Sequence, residues 1–113
     1  MKSKKINIPL IDVDVNLHID KTTEAINTLL RDSTYIEHED SYAGFCILVK
    51  GEVHVWINSE HNEIRFIAHE LYHAVNKACL AIGYKPTTKN HEPGAYIMEH
   101  LMPRALKFYK PKT

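Results

Sequence analysis

Between Asn62 and Ile82 the residues Ile64, Ile67, Ala68, Leu71, Val75, Ala78, Cys79 and Ile82 recur at three- and four-residue steps. That spacing gathers them on one stripe of an α-helix, and such a stripe is stable only when buried against another layer of structure. The rest of the chain must therefore supply a sheet or further helices to cover it. Asn62 or Ser59 is placed to cap the start of this helix, and Gly83 suits its end.

The residues upstream read mainly as strands. Ile6 to Ile11 are apolar around Pro9, and Val13, Val15, Leu17 and Ile19 then alternate with polar neighbours, which marks a strand with one buried face. Asp20 or Thr22 can cap a short helix reaching Arg31, with Ala25, Ile26, Leu29 and Leu30 at helical spacing. The polar segment from Asp32 to Ser41 reads as a loop. Phe45–Val49 and Val53–Ile57 form a strand pair around the turn Lys50-Gly51-Glu52. In the second of these, Val53, Val55 and Ile57 share one face. His54 and Trp56 share the other, either as a half-exposed sheet face or as the flank of a substrate groove.

Downstream of Gly83, a loop through Pro86 to Asn90 leads into a last helix from about His91 to Met102. Pro93 is acceptable there because the first helical turn has no internal donor to lose. Pro103 ends or kinks that helix, and Arg104 to Tyr109 can add another turn or two. The fold class expected is α+β, a single domain over residues 1–113 whose small antiparallel or mixed sheet packs on the long helix and on the helix after it.

At 113 residues, 44% of them hydrophobic and 25% charged, the chain suits one ordinary globular core. Fourteen basic residues balance fourteen acidic ones, which argues against a nucleic-acid or anionic-membrane partner. Arg104, Lys107, Lys110 and Lys112 with Phe108 and Tyr109 read as a solvated tail rather than a phosphate-binding run. No apolar run reaches the length of a membrane span. Asp12 and Asp14 interrupt the stretch after the basic start, a poor signal peptide, so the expected location is the cytoplasm. Cys46 and Cys79 lie in apolar stretches and read as reduced core residues.

Eight histidines are scattered along the chain, and two of them occur in His69-Glu70-Leu71-Tyr72-His73. On a helix, residues four apart stack on one face, so His69 and His73 can offer two imidazole nitrogens to a single metal ion. Nitrogen-rich ligands with one carboxylate suit zinc. Glu70 is turned about 100° from His69, which sets it beside the ion, where a base for an attacking water belongs. A catalytic zinc commonly has three protein ligands, and the best third one is Glu92, followed by His91, Glu99 and His100. Glu92, Tyr96 and Glu99 share a face of the last helix. With Glu92 on the metal, Tyr96 is a candidate for stabilising an oxyanion, unless it simply packs in the core, and Glu99 for orienting a ligand.

With these motifs the chain resembles the small gluzincin-type peptidase domains of the ImmA/IrrE kind, which have a His-Glu-x-x-His helix followed by a glutamate-bearing helix. The second element here is Glu92-Pro93-Gly94-Ala95-Tyr96-Ile97-Met98-Glu99-His100-Leu101-Met102-Pro103. Its leading glutamate, an aromatic four residues on and the closing Glu-x-Leu-Met-Pro fall in register over residues 62 to 109. The chain is also similar to small phage-encoded proteins with a His-Glu-x-x-His helix and an Asn-His-Glu element, here Asn90-His91-Glu92. Pro93-Gly94 and Ile97-Met98 depart from the first pattern, and no helix-turn-helix or sensor domain accompanies it. The resemblance implies a zincin-like domain, a zinc ion on His69, His73 and Glu92, and Glu70 as the base. It also implies a peptide or protein substrate added as a strand at the sheet, expected along Val53–Ile57. The competing expectation is a non-catalytic or latent zinc-binding module that works through protein–protein contacts. Substrate identity and oligomeric state are not legible in the sequence.

Overall fold

The structure, a computed structural model, describes residues 1–33, 39–40 and 42–112. It is a small α+β fold. The strands are β1 (Lys2–Ile8), β2 (Val13–Asp20), β3 (Gly44–Val49) and β4 (Glu52–Asn58); the helices are α1 (Glu24–Leu30), α2 (Ile64–Ala81) and α3 (Glu92–Tyr109). Of the segment expected as a loop from Asp32 to Ser41, residues 34–38 and Ser41 lie outside the described residues.

The four strands form one mixed sheet in the order β1-β2-β4-β3. β1 and β2 pair antiparallel, β2 and β4 parallel, and β4 and β3 antiparallel. The last pair is the expected hairpin. Its turn residues Lys50 and Gly51 both have positive φ, +51° and +78°, the twist that a two-residue hairpin turn needs. β1 is longer than the apolar run suggested: Lys2, Lys4 and Asn7 are exposed while Ile6 and Ile8 face the core, and Pro9 falls in the turn after the strand.

Alternation along the strands sends opposite sets of residues to the two faces of the sheet. Ile6, Ile8, Val15, Leu17, Val53, Val55 and Ile57 pack beneath α2 and α3, against Ile67, Leu71, Ala74, Ala78, Ile97, Leu101 and Ala105. On the other face Phe45 and Trp56 pack against Ile26 and Leu30 of α1. His54 and Trp56 were expected on a half-exposed or groove-lining face. The face is not half-exposed: Trp56 is 0% exposed beneath α1, whereas His54, 8% exposed, does line a cavity on that side.

α2 begins close to the expected residue but without the expected cap. Glu63 occupies the capping position with no side-chain bond, and the Asn62 amide donates instead to the Tyr109 carbonyl at 2.7 Å. Its end matches expectation. Gly83, at φ +72°, lets the Gly83 and Tyr84 amides bond back to Leu80 and Cys79, the paired arrangement that closes helices at a left-handed residue. α1 likewise starts from Thr23 rather than Asp20 or Thr22, with the Thr23 amide and hydroxyl bound to the Asp40 carboxylate.

α3 is continuous through Pro103, so the proline does not end it and Arg104–Tyr109 do extend the helix. Proline removes one donor, the one that would have bonded the carbonyl of Glu99. Ala105 and Tyr109, buried beyond it, hold the final turns against the core. The Tyr109 hydroxyl donates to the carbonyls of His18 and Val55 at 3.2 and 3.3 Å. The basic run expected as a solvated tail is therefore largely helical, with one of its two aromatics in the core. No helix among the described residues is long and apolar enough to cross a membrane.

α2 and α3 are antiparallel. The start of α3 lies on the second half of α2, where a methyl on Gly94 would touch Val75 at 3.4 Å. The end of α3 returns to the start of α2 through the Asn62–Tyr109 bond and a Lys112 amide donating to the Asn62 carbonyl at 3.1 Å.

Candidate functional site

His69, Glu70 and His73 come together near the middle of α2. One donor atom from each lies within 4.8 Å of the other two, and this is the one group of three or more His, Cys, Asp or Glu side chains among the described residues that could hold a metal ion. The helix itself brings them together. His69 and His73 stand one turn apart on the exposed side, while Glu70, a third of a turn round, is carried under β3.

The histidine geometry is compatible with a shared metal ion as well as with a long hydrogen bond. Their Nε2 atoms are 3.3 Å apart and the rings are inclined at 76°. Two nitrogens held by one tetrahedral zinc at about 2.0–2.1 Å stand about 3.3–3.4 Å apart. A direct hydrogen bond between ring nitrogens is shorter, about 2.9–3.0 Å. The two nitrogens are thus spaced so that, with Glu70 beside them, the group could hold a metal ion.

Glu70 is only 8% exposed although both flanking histidines are open to solvent. Its stem packs on Gly44, the first residue of β3, where a Cβ would lie 3.2 Å from Glu70 Cγ and 2.8 Å from the Trp56 carbonyl oxygen. Any side chain at Gly44 would push Glu70 or the sheet aside. Burial raises the Glu70 pKa, and the neighbouring His69 works in the opposite direction. A carboxylate tuned upward in this way is a better proton acceptor than an exposed one. On the sheet nearby, burial pushes the Cys46 thiol up to about 12, with the Glu70 charge adding to the effect. Cys46 is thus a protonated, inert neighbour, and both it and Cys79 are free thiols, as expected.

The other expected site residues are not drawn into this group. Glu92 opens α3 as an exposed residue outside the three-residue cluster. Its neighbourhood does lie along α2: His91, Gly94, Ala95 and Met98 line one groove with Tyr72, Val75 and Asn76, on the flank of the helix next to His73. Tyr96 points elsewhere. It is 56% exposed and lines a separate groove with Ile8, Pro9, Leu10 and His100, on the side of α3 that faces β1. The oxyanion role considered for Tyr96 gains nothing from this placement. His100, one of the alternative ligands, is engaged with the Asn7 carbonyl at 3.1 Å on that same side.

The strand expected to receive a substrate is also unsuited to it. β4, which contains Val53–Ile57, is paired on both sides, to β2 and to β3, and has no free backbone edge. Among the described residues, the unpaired edges of the sheet belong to β1 and β3. Of these β3 is the one against which Glu70 packs.

A second polar cluster escaped the sequence reading. On the α1 side of the sheet Ser3 Oγ lies 2.7 Å from His18 Nδ1, and His18 Nε2 lies 2.9 Å from His54 Nδ1. Its signal was the presence of Ser3, His18 and His54 at polar positions of alternating strands. Only the pairing of β1, β2 and β4 puts them side by side. No protein-family model, curated protein or solved structure matches the chain.

Proposed function

We propose that this chain is a zinc-dependent peptidase of zincin-like architecture, with His69 and His73 as two of the metal ligands, Glu92 as the third and Glu70 as the general base. The observation that carries the reading is the 3.3 Å separation of the two imidazole nitrogens, with the buried Glu70 carboxylate beside them. A structural metal site needs the histidines but has no use for a glutamate held dry next to them. Glu92 stands outside the His69–Glu70–His73 group, and what supports it as the third ligand is its place at the start of α3, whose first turns share a groove with Tyr72 and Asn76 of α2.

Zinc, when bound here, supplies the Lewis acidity that polarises a peptide carbonyl and makes a water molecule acidic near neutral pH. The chain's own residues do the rest. Glu70, raised in pKa by burial, accepts a proton from the attacking water and is placed to return it to the leaving amine. Gly44 leaves the space that Glu70 occupies. The free edge of β3 offers backbone donors and acceptors to an extended peptide or protein segment, so the substrate strand belongs on Gly44–Val49 rather than on Val53–Ile57. With Cys46 and Cys79 both free, a reducing cytoplasm suits the protein.

A second reading has one observation in its favour. Because Glu70 already lies within 4.8 Å of both histidine nitrogens, the three could close around an ion as a non-catalytic or latent module acting through a protein partner. Metal content and peptide hydrolysis separate the two in one experiment. The peptidase reading expects about one zinc per chain, kept in Glu70→Gln, much weakened in Glu92→Ala, and a loss of hydrolysis in Glu70→Gln of about a hundredfold or more. Loss of the metal in Glu70→Gln would establish the closed site instead. A protein that binds no zinc at all would end both.

A further inference from the structure

The face of the sheet opposite the metal site carries a hydrogen-bonded line of polar side chains that ends in a cavity. Ser3 is directly across from His18 in the β1–β2 pairing, and His54 lies one diagonal step away on β4. His18 is 3% exposed and uses both ring nitrogens, one towards Ser3 and one towards His54. The two imidazoles lie within 4° of parallel, and their 2.9 Å contact has the length of a hydrogen bond rather than of a metal bite.

His54 is the open end of the line. It is 8% exposed, its Nδ1 is committed to His18, and its Nε2 has no hydrogen-bond partner among the described residues. His54 lines a cavity of about 320 Å³ between β2, β4 and the end of α1, a size at the lower end of small-molecule sites. Leu29, Leu30 and Val49 form its apolar wall. Its charges cancel: Lys5 is paired to Glu52 at 3.1 Å, and Lys50 is matched by Asp32 in the same lining.

The neutral chain has two settings. If the Ser3 hydroxyl donates to His18, then His18 donates to His54, and His54 Nε2 presents a proton to the cavity. If the direction reverses, His54 Nε2 presents a lone pair. A hydroxyl group satisfies either setting, since it both donates and accepts. The formal charges of the lining sum to zero, which favours neither an anion nor a cation, and the apolar wall suits a compact hydrocarbon body.

We propose that this cavity is a binding site for a small neutral molecule that carries a hydroxyl group on an apolar body, held by His54 Nε2 at the end of the Ser3–His18–His54 line. Burial keeps both histidines uncharged near neutral pH, His18 down at about 4, which is consistent with a neutral ligand. The site is separate from the proposed metal centre and does not depend on it.

Phenol is a direct probe. In protein with nitrogen-15 in its histidine rings, phenol should shift the His54 and His18 imidazole signals saturably, with a dissociation constant of about 1 mM or tighter. Toluene, the same ring without the hydroxyl, should bind at least about tenfold more weakly. Leu29 is 56% exposed on the rim, so Leu29→Trp should fill the mouth and weaken phenol about tenfold while leaving the thermal midpoint unchanged. His54→Phe should remove the response at His18. Absence of a saturable shift, equal binding of toluene, or phenol binding untouched by Leu29→Trp would each overturn the assignment.

Discussion

Acidification should destabilise this protein through one buried histidine, and the size of the effect follows from where that residue sits. His18 is enclosed between β1 and β4, and burial there, with His54 adding to it, lowers its pKa from 6.5 to about 4. In the unfolded chain the same side chain titrates near its ordinary value. Between those two values the unfolded state holds a proton that the folded state refuses, so stability rises with pH and is lost as pH falls through the window. A shift of that size is worth about 3 kcal/mol over the full window, and about 2 kcal/mol of it is lost between pH 7 and pH 5. With an unfolding entropy of about 0.24 kcal/mol/K for a chain of 113 residues, that is about 8 °C in thermal midpoint. His54, also lowered by burial, acts in the same direction, whereas the raised pKa of Glu70 opposes it.

The test compares the natural protein with His18→Gln, whose amide can still bond Ser3 and His54 but does not titrate. Urea unfolding at the two pH values, with a chelator present to keep metal linkage out, gives the change in stability for each protein. The expected result is that His18→Gln loses about 2 kcal/mol less than the natural protein on going from pH 7 to pH 5. Equal losses in the two proteins would refute the reasoning and place the acid sensitivity in groups other than His18.

Other outcomes follow from the same structure. Zinc at a thousandfold excess over its dissociation constant should stabilise the protein by about 4 kcal/mol in thermal unfolding, and His69→Ala or His73→Ala should abolish that gain. Gly44→Ala would set a methyl 2.8 Å from the Trp56 carbonyl oxygen and 3.2 Å from Glu70 Cγ. It should cost about 1–3 kcal/mol in urea unfolding and reduce any peptide hydrolysis while leaving zinc content intact. Gly51→Ala meets no atom within 4 Å but must hold φ at +78°, so it should cost about 1 kcal/mol from backbone conformation alone.

Local pattern decided a good deal of this molecule. The long helix, its end at Gly83, the strand from Val13 and the hairpin around Lys50-Gly51 all follow from periodicity and turn chemistry, which act over a few residues and can be read along the chain. The meeting of His69 and His73 belongs to the same class, because the helix period alone stacks them. The depth of Glu70 does not. It depends on β3 arriving with a glycine at the point of contact, a match between residues far apart in sequence. The parallel pairing of β2 with β4 is likewise nonlocal. Together with the β3–β4 hairpin it leaves the strand expected to bind substrate without a free edge, and together with the β1–β2 pairing it converts three scattered polar residues into the Ser3–His18–His54 line. Tyr96 was assigned by its helix face alone, and only the packing of α3 between α2 and β1 showed which neighbour that face meets. Periodicity says which residues share a side of an element; what lies opposite that side is settled only when the elements pack, because burial depends on long-range contacts that no short stretch of sequence contains.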